Sequence, residues 1–144
     1  MPGEARLTVD VRAPSDAVRK AAGAVLETTF AAIAERRGVT LAIKHFHDAA
    51  AVSCDPALIE QLTAAVGRAG VAPRLLPSGA GHDAMALAAL CPIAMLFVRC
   101  ARGISHNPAE AISAADVDLV VRVLLDFLRH VAPDLLTSHG KRWP

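Results

Sequence analysis

A chain of 144 residues, 53% hydrophobic and 20% charged, is long enough for one domain or two half-domains and should bury a core rather than stay disordered. Fifteen Lys and Arg against 14 Asp and Glu leave a net charge of +1, so there is no basic field for nucleic acid and no polybasic run for a membrane surface. Aromatic residues at 3% give no stacking platform for single strands, and no apolar run reaches the roughly 18–20 residues that span a bilayer.

In chain order, Arg6-Leu7-Thr8-Val9-Asp10-Val11-Arg12 alternates apolar and polar side chains and reads as a half-buried strand. Ser15 or Asp16 supplies helix-start chemistry, and Val18, Ala22, Val25, Leu26, Thr29 and Ile33 recur at helical spacing as far as Arg37. Gly38 is the stop signal. Residues 39–46 alternate again as a second strand, and 47–53 read as a crossing between layers. Asp55-Pro56 opens a second helix with Leu58, Leu62, Ala65 and Val66 on its buried stripe, closed by Gly70. A short strand at 74–76 leads through the glycine turn 78–81 into a helix from about His82 to Leu90. Residues 93–99 read as a buried strand, and Ser113 to about Val131 as the last helix, with Val117, Val120, Val121, Leu124 and Leu128 on one face.

The N-terminus lacks the charged-then-apolar order of a secretory signal. Cys54, Cys91 and Cys100 are odd in number and lack metal-knuckle spacing, so they read as free thiols, each a small buried hydrophobe in a reducing cytoplasm.

Chemistry concentrates in two motifs. Gly103-Ile104-Ser105-His106-Asn107-Pro108-Ala109-Glu110 puts a histidine on a loop after an apolar segment, where α/β enzymes place catalytic groups. His106 suits metal ligation if a polar neighbour fixes the loop, and Glu110 could brace it from the start of the last helix. The alternative is a loop histidine bonded only to backbone. Ser78-Gly79-Ala80-Gly81-His82-Asp83-Ala84 exposes backbone amides that could hold a carboxylate or oxyanion, or is simply a tight turn with His82 as a cap. Arg12, at the end of the first strand, could grip a substrate carboxylate or be a solvated surface arginine. His45 and His47 share a strand face, and His130 and His139 read as incidental. A hydrolytic metal centre needs about three protein ligands, and a dinuclear one a bridging carboxylate as well. No HExxH and no GxSxG occurs, so the chain offers at most part of a site.

These two motifs, with the segment Pro92-Ile93-Ala94-Met95-Leu96-Phe97-Val98 between them, resemble the C-terminal part of the hydantoinase/carbamoylase family. That group holds allantoate amidohydrolases and N-carbamoyl-L-amino-acid hydrolases within the M20 metallopeptidase superfamily. Leu7-Thr8-Val9-Asp10-Val11-Arg12 with Pro14-Ser15-Asp16 is similar to the strand-to-helix junction of its lid domain. The resemblance implies an α/β fold: residues 1–48 as the second half of a ferredoxin-like lid or dimerisation domain, and 49–144 as the C-terminal segment of a three-layer αβα catalytic domain. It implies two divalent ions, zinc or manganese, in the complete enzyme, with His106 a ligand of one. Arg12 would bind substrate carboxylate across a homodimer, and Ser78, Gly79, Gly81 and His82 would line the substrate pocket. Glu110 and Asp83 would support the site from behind.

The family's other ligands and its general base lie in an N-terminal region that this sequence lacks. The expected protein is therefore a fragment of an amidohydrolase that cleaves the carbamoyl or ureido C–N bond of a small carboxylate, with no complete catalytic set and no activity alone. It partners the missing N-terminal part and binds neither nucleic acid nor membrane. The alternatives are a non-catalytic dimerising remnant and a fragment of an aminoacylase or dipeptidase of the same superfamily.

Overall fold

A computed structural model describes residues 3–133. His139 and the rest of the tail lie outside them.

Helix boundaries follow local chemistry. Helix α1, Asp16–Arg37, opens where the Ser15 side chain accepts from the Val18 N–H. It closes at Gly38, whose φ of 63° lets its N–H reach back to Ala34 and Glu35 carbonyls. Helix α2, Pro56–Arg68, is capped by Asp55, whose carboxylate accepts from the Ala57 and Leu58 amides at 2.9 and 3.0 Å. Helix α3, Asp83–Leu87, is shorter than expected. The Leu90 and Cys91 amides both turn back to the Leu87 carbonyl, and Cys91 precedes Pro92, which disfavours helical backbone at that position. Helix α4, Ala114–His130, starts at Ser113, whose hydroxyl accepts from the Asp116 amide at 3.1 Å.

The four expected strands, 6–12, 39–46, 74–76 and 93–99, are corrected by the structure: no strand is formed among the described residues. Alternation gives a segment two sides, but a strand also needs a neighbour to complete a ladder of N–H and C=O groups. What forms instead are single bonds, Asp55 N–H to the Ile93 carbonyl and Ala101 N–H to the Ala111 carbonyl, both 2.8 Å. In the first three segments the apolar sides stay open, with Leu7 90%, Val39 60% and Leu75 70% exposed, whereas Ile93 of the fourth is buried. The three-layer αβα arrangement and the half ferredoxin-like lid remain expectations, since no strand is assigned among these residues. No helix among them is long and apolar enough to cross a membrane.

The chain divides into two compact units. The first runs to Ala51 and takes in Pro77–Ala80; the second holds Val52–Leu76 and continues from Gly81. In the first, Asp16 accepts from the Ala51 amide at 3.0 Å, and Arg19 pairs with both Asp16 and Asp48. These bonds fasten segment 48–51 to the start of α1.

The core of the second unit lies between α2 and α4. Leu62 and Ala65 meet Val123, with Val66, Leu119 and Phe127 around them and Ala94 and Leu96 packed from the preceding segment. Burial of each large apolar side chain contributes about 1.5–3 kcal/mol. At the edge, Arg68 donates to Asp126 from Nε at 2.8 Å, and the Ala132 amide donates to Gln61 Oε1. Loop 103–110 leads into α4, one of this pair.

Candidate functional site

The loop that carries His106 is closed upon itself. Glu110 Oε2 accepts from the His106 backbone N–H at 2.8 Å. The Asn107 carbonyl accepts from the Glu110 amide at 2.8 Å, and its side chain accepts from the Ala109 amide at 2.9 Å, a turn that asparagine makes with its own backbone. Below, the Ala101–Ala111 bond joins the two stems. Glu110 therefore stands within the loop, ahead of α4, and not on the helix itself.

This closure holds unusual backbone. His106 has φ of 55° and Arg102 φ of 59°, with Gly103 at 67° between them. A left-handed conformation costs a side-chain-bearing residue about 1–2 kcal/mol, though histidine tolerates it better than most. The imidazole is thus presented from a fixed, exposed turn.

His82 stands at the start of α3, but its ring does not cap the helix. It meets Phe97 edge-on, with centroids 6.0 Å apart and planes at 63°. Asp83 occupies the first turn of α3, where a carboxylate favours the exposed amides.

In the first unit, the Ser78 hydroxyl accepts from the Ala80 amide at 3.1 Å and shapes the glycine turn. Gly79 has open space where a Cβ would stand. At Gly81, in the second unit, a Cβ would lie 3.9 Å from Met85 Sδ, an ordinary contact. The Gly79 carbonyl accepts from Arg12 Nη1 at 2.6 Å. The other arm of that guanidinium holds Asp10 Oδ2, from Nε at 3.0 Å and Nη2 at 2.6 Å. Each nitrogen of Arg12 already donates, and Arg12 reaches the turn of its own chain. The Arg12 hydrogen bond holds the Asp10 carboxyl below its ordinary value, and Asp10 in turn raises the Arg12 guanidinium.

Two residues that organise these features were not singled out in the sequence. Asp10 had a signal, since it lies on the same side of the alternating segment as Arg12. Asn107 had one in its place before Pro108. The other histidines take local roles: His45 pairs with Glu27 at 3.1 Å, and His130 Nδ1 lies 2.7 Å from the Asp126 carbonyl. Arg99, from the basic stretch before Gly103, is bound to Asp116 at the start of α4.

Among the described residues no group of three His, Cys, Asp or Glu side chains comes close enough to hold a metal ion. The His106 imidazole is carried on a loop braced by Glu110, as one coordination position would require. The donors gathered around it do not make a complete centre.

Known proteins are similar to this chain over most of its length. The chain is 42% identical over 136 residues to "Allantoate deiminase" of Arabidopsis thaliana, covering 89% of this chain and 26% of that protein. It is 36% identical over 130 residues to "N-carbamoyl-L-amino-acid amidohydrolase" of Rhizobium meliloti, covering 88% and 31%. With "Allantoate amidohydrolase" of Escherichia coli K12 it shares 33% over 132 residues, covering 92% and 32%. The chain thus spans about a quarter to a third of the length of these relatives. The family model for "Peptidase family M20/M25/M40" matches residues 3–130. Its members have an α/β metallohydrolase fold and generally depend on divalent metals. A match across both units and both glycine–histidine motifs means that the chain belongs to peptidase family M20/M25/M40.

Proposed function

We propose that this chain is the C-terminal part of a metal-dependent amidohydrolase that cleaves the carbamoyl or ureido C–N bond of a small carboxylate, either allantoate or an N-carbamoyl amino acid. The reading is supported by the names of its relatives and carried by one observation, the braced His106 loop. His106 would hold one of two ions, zinc or manganese, with the remaining ligands supplied by sequence outside this chain. When bound, such ions polarise an amide carbonyl and activate water.

The residues of this chain would bind and orient. Ser78, Gly79, Gly81 and His82 would line the substrate pocket, with Asp83 behind them. Arg12 would serve the substrate carboxylate with a guanidinium that Asp10 holds in plane. Glu110 would keep the His106 imidazole aimed by fixing its backbone. In the complete protein, residues 1–48 would form half of a ferredoxin-like lid that dimerises, 49–144 would complete a three-layer αβα domain, and the enzyme would work in the cytoplasm.

Ammonia release tests this reading, with allantoate and N-carbamoyl amino acids as substrates and manganese or zinc supplied. The chain alone is expected to give no turnover. A chimera joining it to the N-terminal portion of the Escherichia coli relative is expected to turn over one substrate and to fail as His106→Ala. A folded, metal-loaded chimera inert to both substrates would overturn the activity. Turnover that survives His106→Ala would overturn the role of His106.

A further inference from the structure

Cys54 and Cys91 are distant in sequence, and both are half-buried with free thiols. They line one cavity of about 250 Å³, together with Ser53, Asp55, Pro56 and Ile93. The 2.8 Å bond from the Asp55 amide to the Ile93 carbonyl joins the two segments, one residue after Cys54 and two after Cys91. Cys54 immediately precedes the cap of α2, and Cys91 ends the turn after α3, its thiol 3.7 Å from the Leu87 carbonyl. Cys100 does not line this cavity, and its thiol faces the Val98 carbonyl at 3.7 Å. Neither motif of the proposed active site uses these two cysteines.

We propose that Cys54 and Cys91 form a dithiol site that closes to an intramolecular disulfide by exchange with a small-molecule disulfide. One thiolate attacks a sulfur of the small disulfide, forming a mixed disulfide and expelling one small thiolate. The second cysteine, as thiolate, attacks the protein-side sulfur of that mixed disulfide and expels the other. The protein loses two protons and two electrons, and the small disulfide is reduced to two thiols. Both cysteines line one cavity, and a backbone bond holds their segments together. Closure would tie the turn after α3 to the start of α2.

The test treats the reduced, native chain with oxidised glutathione, followed by intact mass and peptide mapping without reductant. The expected product carries a Cys54–Cys91 link, with the loss of two hydrogen atoms from that peptide pair, and no glutathione on either cysteine. Cys100→Ser keeps this behaviour, whereas Cys54→Ser and Cys91→Ser each trap glutathione on the remaining partner. A bidentate arsenical is expected to bind one per chain and to block closure. Stable glutathione on both Cys54 and Cys91 of the unmutated chain, a link through Cys100, or only intermolecular dimers would overturn the proposal. Because the measurement is on the native chain, misfolding of a variant does not decide it.

Discussion

The carboxylate of Glu110 holds the backbone N–H of His106 at 2.8 Å, and with it a histidine whose φ of 55° lies in left-handed space. The residue most suited to metal binding is thus also one that the backbone alone disfavours. Removing the brace should loosen the loop without unfolding the core. Glu110→Ala is expected to speed exchange of the His106 amide hydrogen by about tenfold, as befits loss of a bond to a charged acceptor. Amides within α2 should keep their protection. An unchanged His106 rate would show that Glu110 does not brace the loop.

His106 itself can be separated into strain and chemistry. His106→Gly should leave stability unchanged or raise it by about 1 kcal/mol, because glycine enters left-handed backbone at no steric cost. His106→Ala keeps the strain and should gain nothing. Urea unfolding of both variants checks this. In the complete metal-loaded enzyme both should lower metal content, so a stabilised His106→Gly protein with lost metal would be the signature of a ligand held under strain.

The junction between α2 and α4 has no room to spare at Ala65, which is fully buried. Ala65→Leu is expected to cost about 1–3 kcal/mol by overpacking, and Leu62→Ala about 2–5 kcal/mol through the cavity it leaves. Val117→Ala, on the open side of α4, should stay within about 0.5 kcal/mol. Chemical denaturation midpoints would report all three, and a large effect at Val117 would mean that this face is covered in solution.

Acid should weaken the second unit at α4. Hydrogen bonds from the Ser113 hydroxyl and then Arg99 keep the Asp116 carboxyl below its ordinary value of 3.8. The Arg68 hydrogen bond does the same for Asp126. A carboxyl whose folded pKa is lowered binds protons more readily when unfolded. Its contribution is therefore present above about pH 4 and lost as pH falls through the lowered folded value. Stability measured by urea midpoints should drop below about pH 4, with a shallower slope in Asp126→Asn. An equal slope in wild type and variant would remove Asp126 from the account.

Arg12 gives a test of reach within its own unit. Arg12→Lys cannot hold Asp10 and the Gly79 carbonyl together, since an ammonium lacks the planar fork. Amide resonances of Gly79 and Ala80 should shift in the variant, while those of α4 stay in place. Unshifted turn resonances would show that the contact does not persist in solution.

Helix ends were legible because their signals are local: Ser15, Gly38, the Asp55-Pro56 pair and Ser113 each act within four residues of themselves. The link between His106 and Glu110 was legible for the same reason, although α4 starts later than the placement of Glu110 required. The strands were not, because alternation at Leu7, Val9 and Val11 specifies two faces but not a neighbour. Nor was the bond from Arg12 to Gly79, which joins positions 67 apart and depends on the path between them. One extended segment does reach the core, with Ala94 and Leu96 against the α2–α4 junction, and it gets there by packing rather than by pairing.

The bond from the Ala101 amide to the Ala111 carbonyl acts as a drawstring. Everything between those residues can be rewritten while the helices below see the same two ends at the same separation. Loop 103–110 is therefore a replaceable cassette. A different tip grafted at this neck would enter and leave through the same bonded pair.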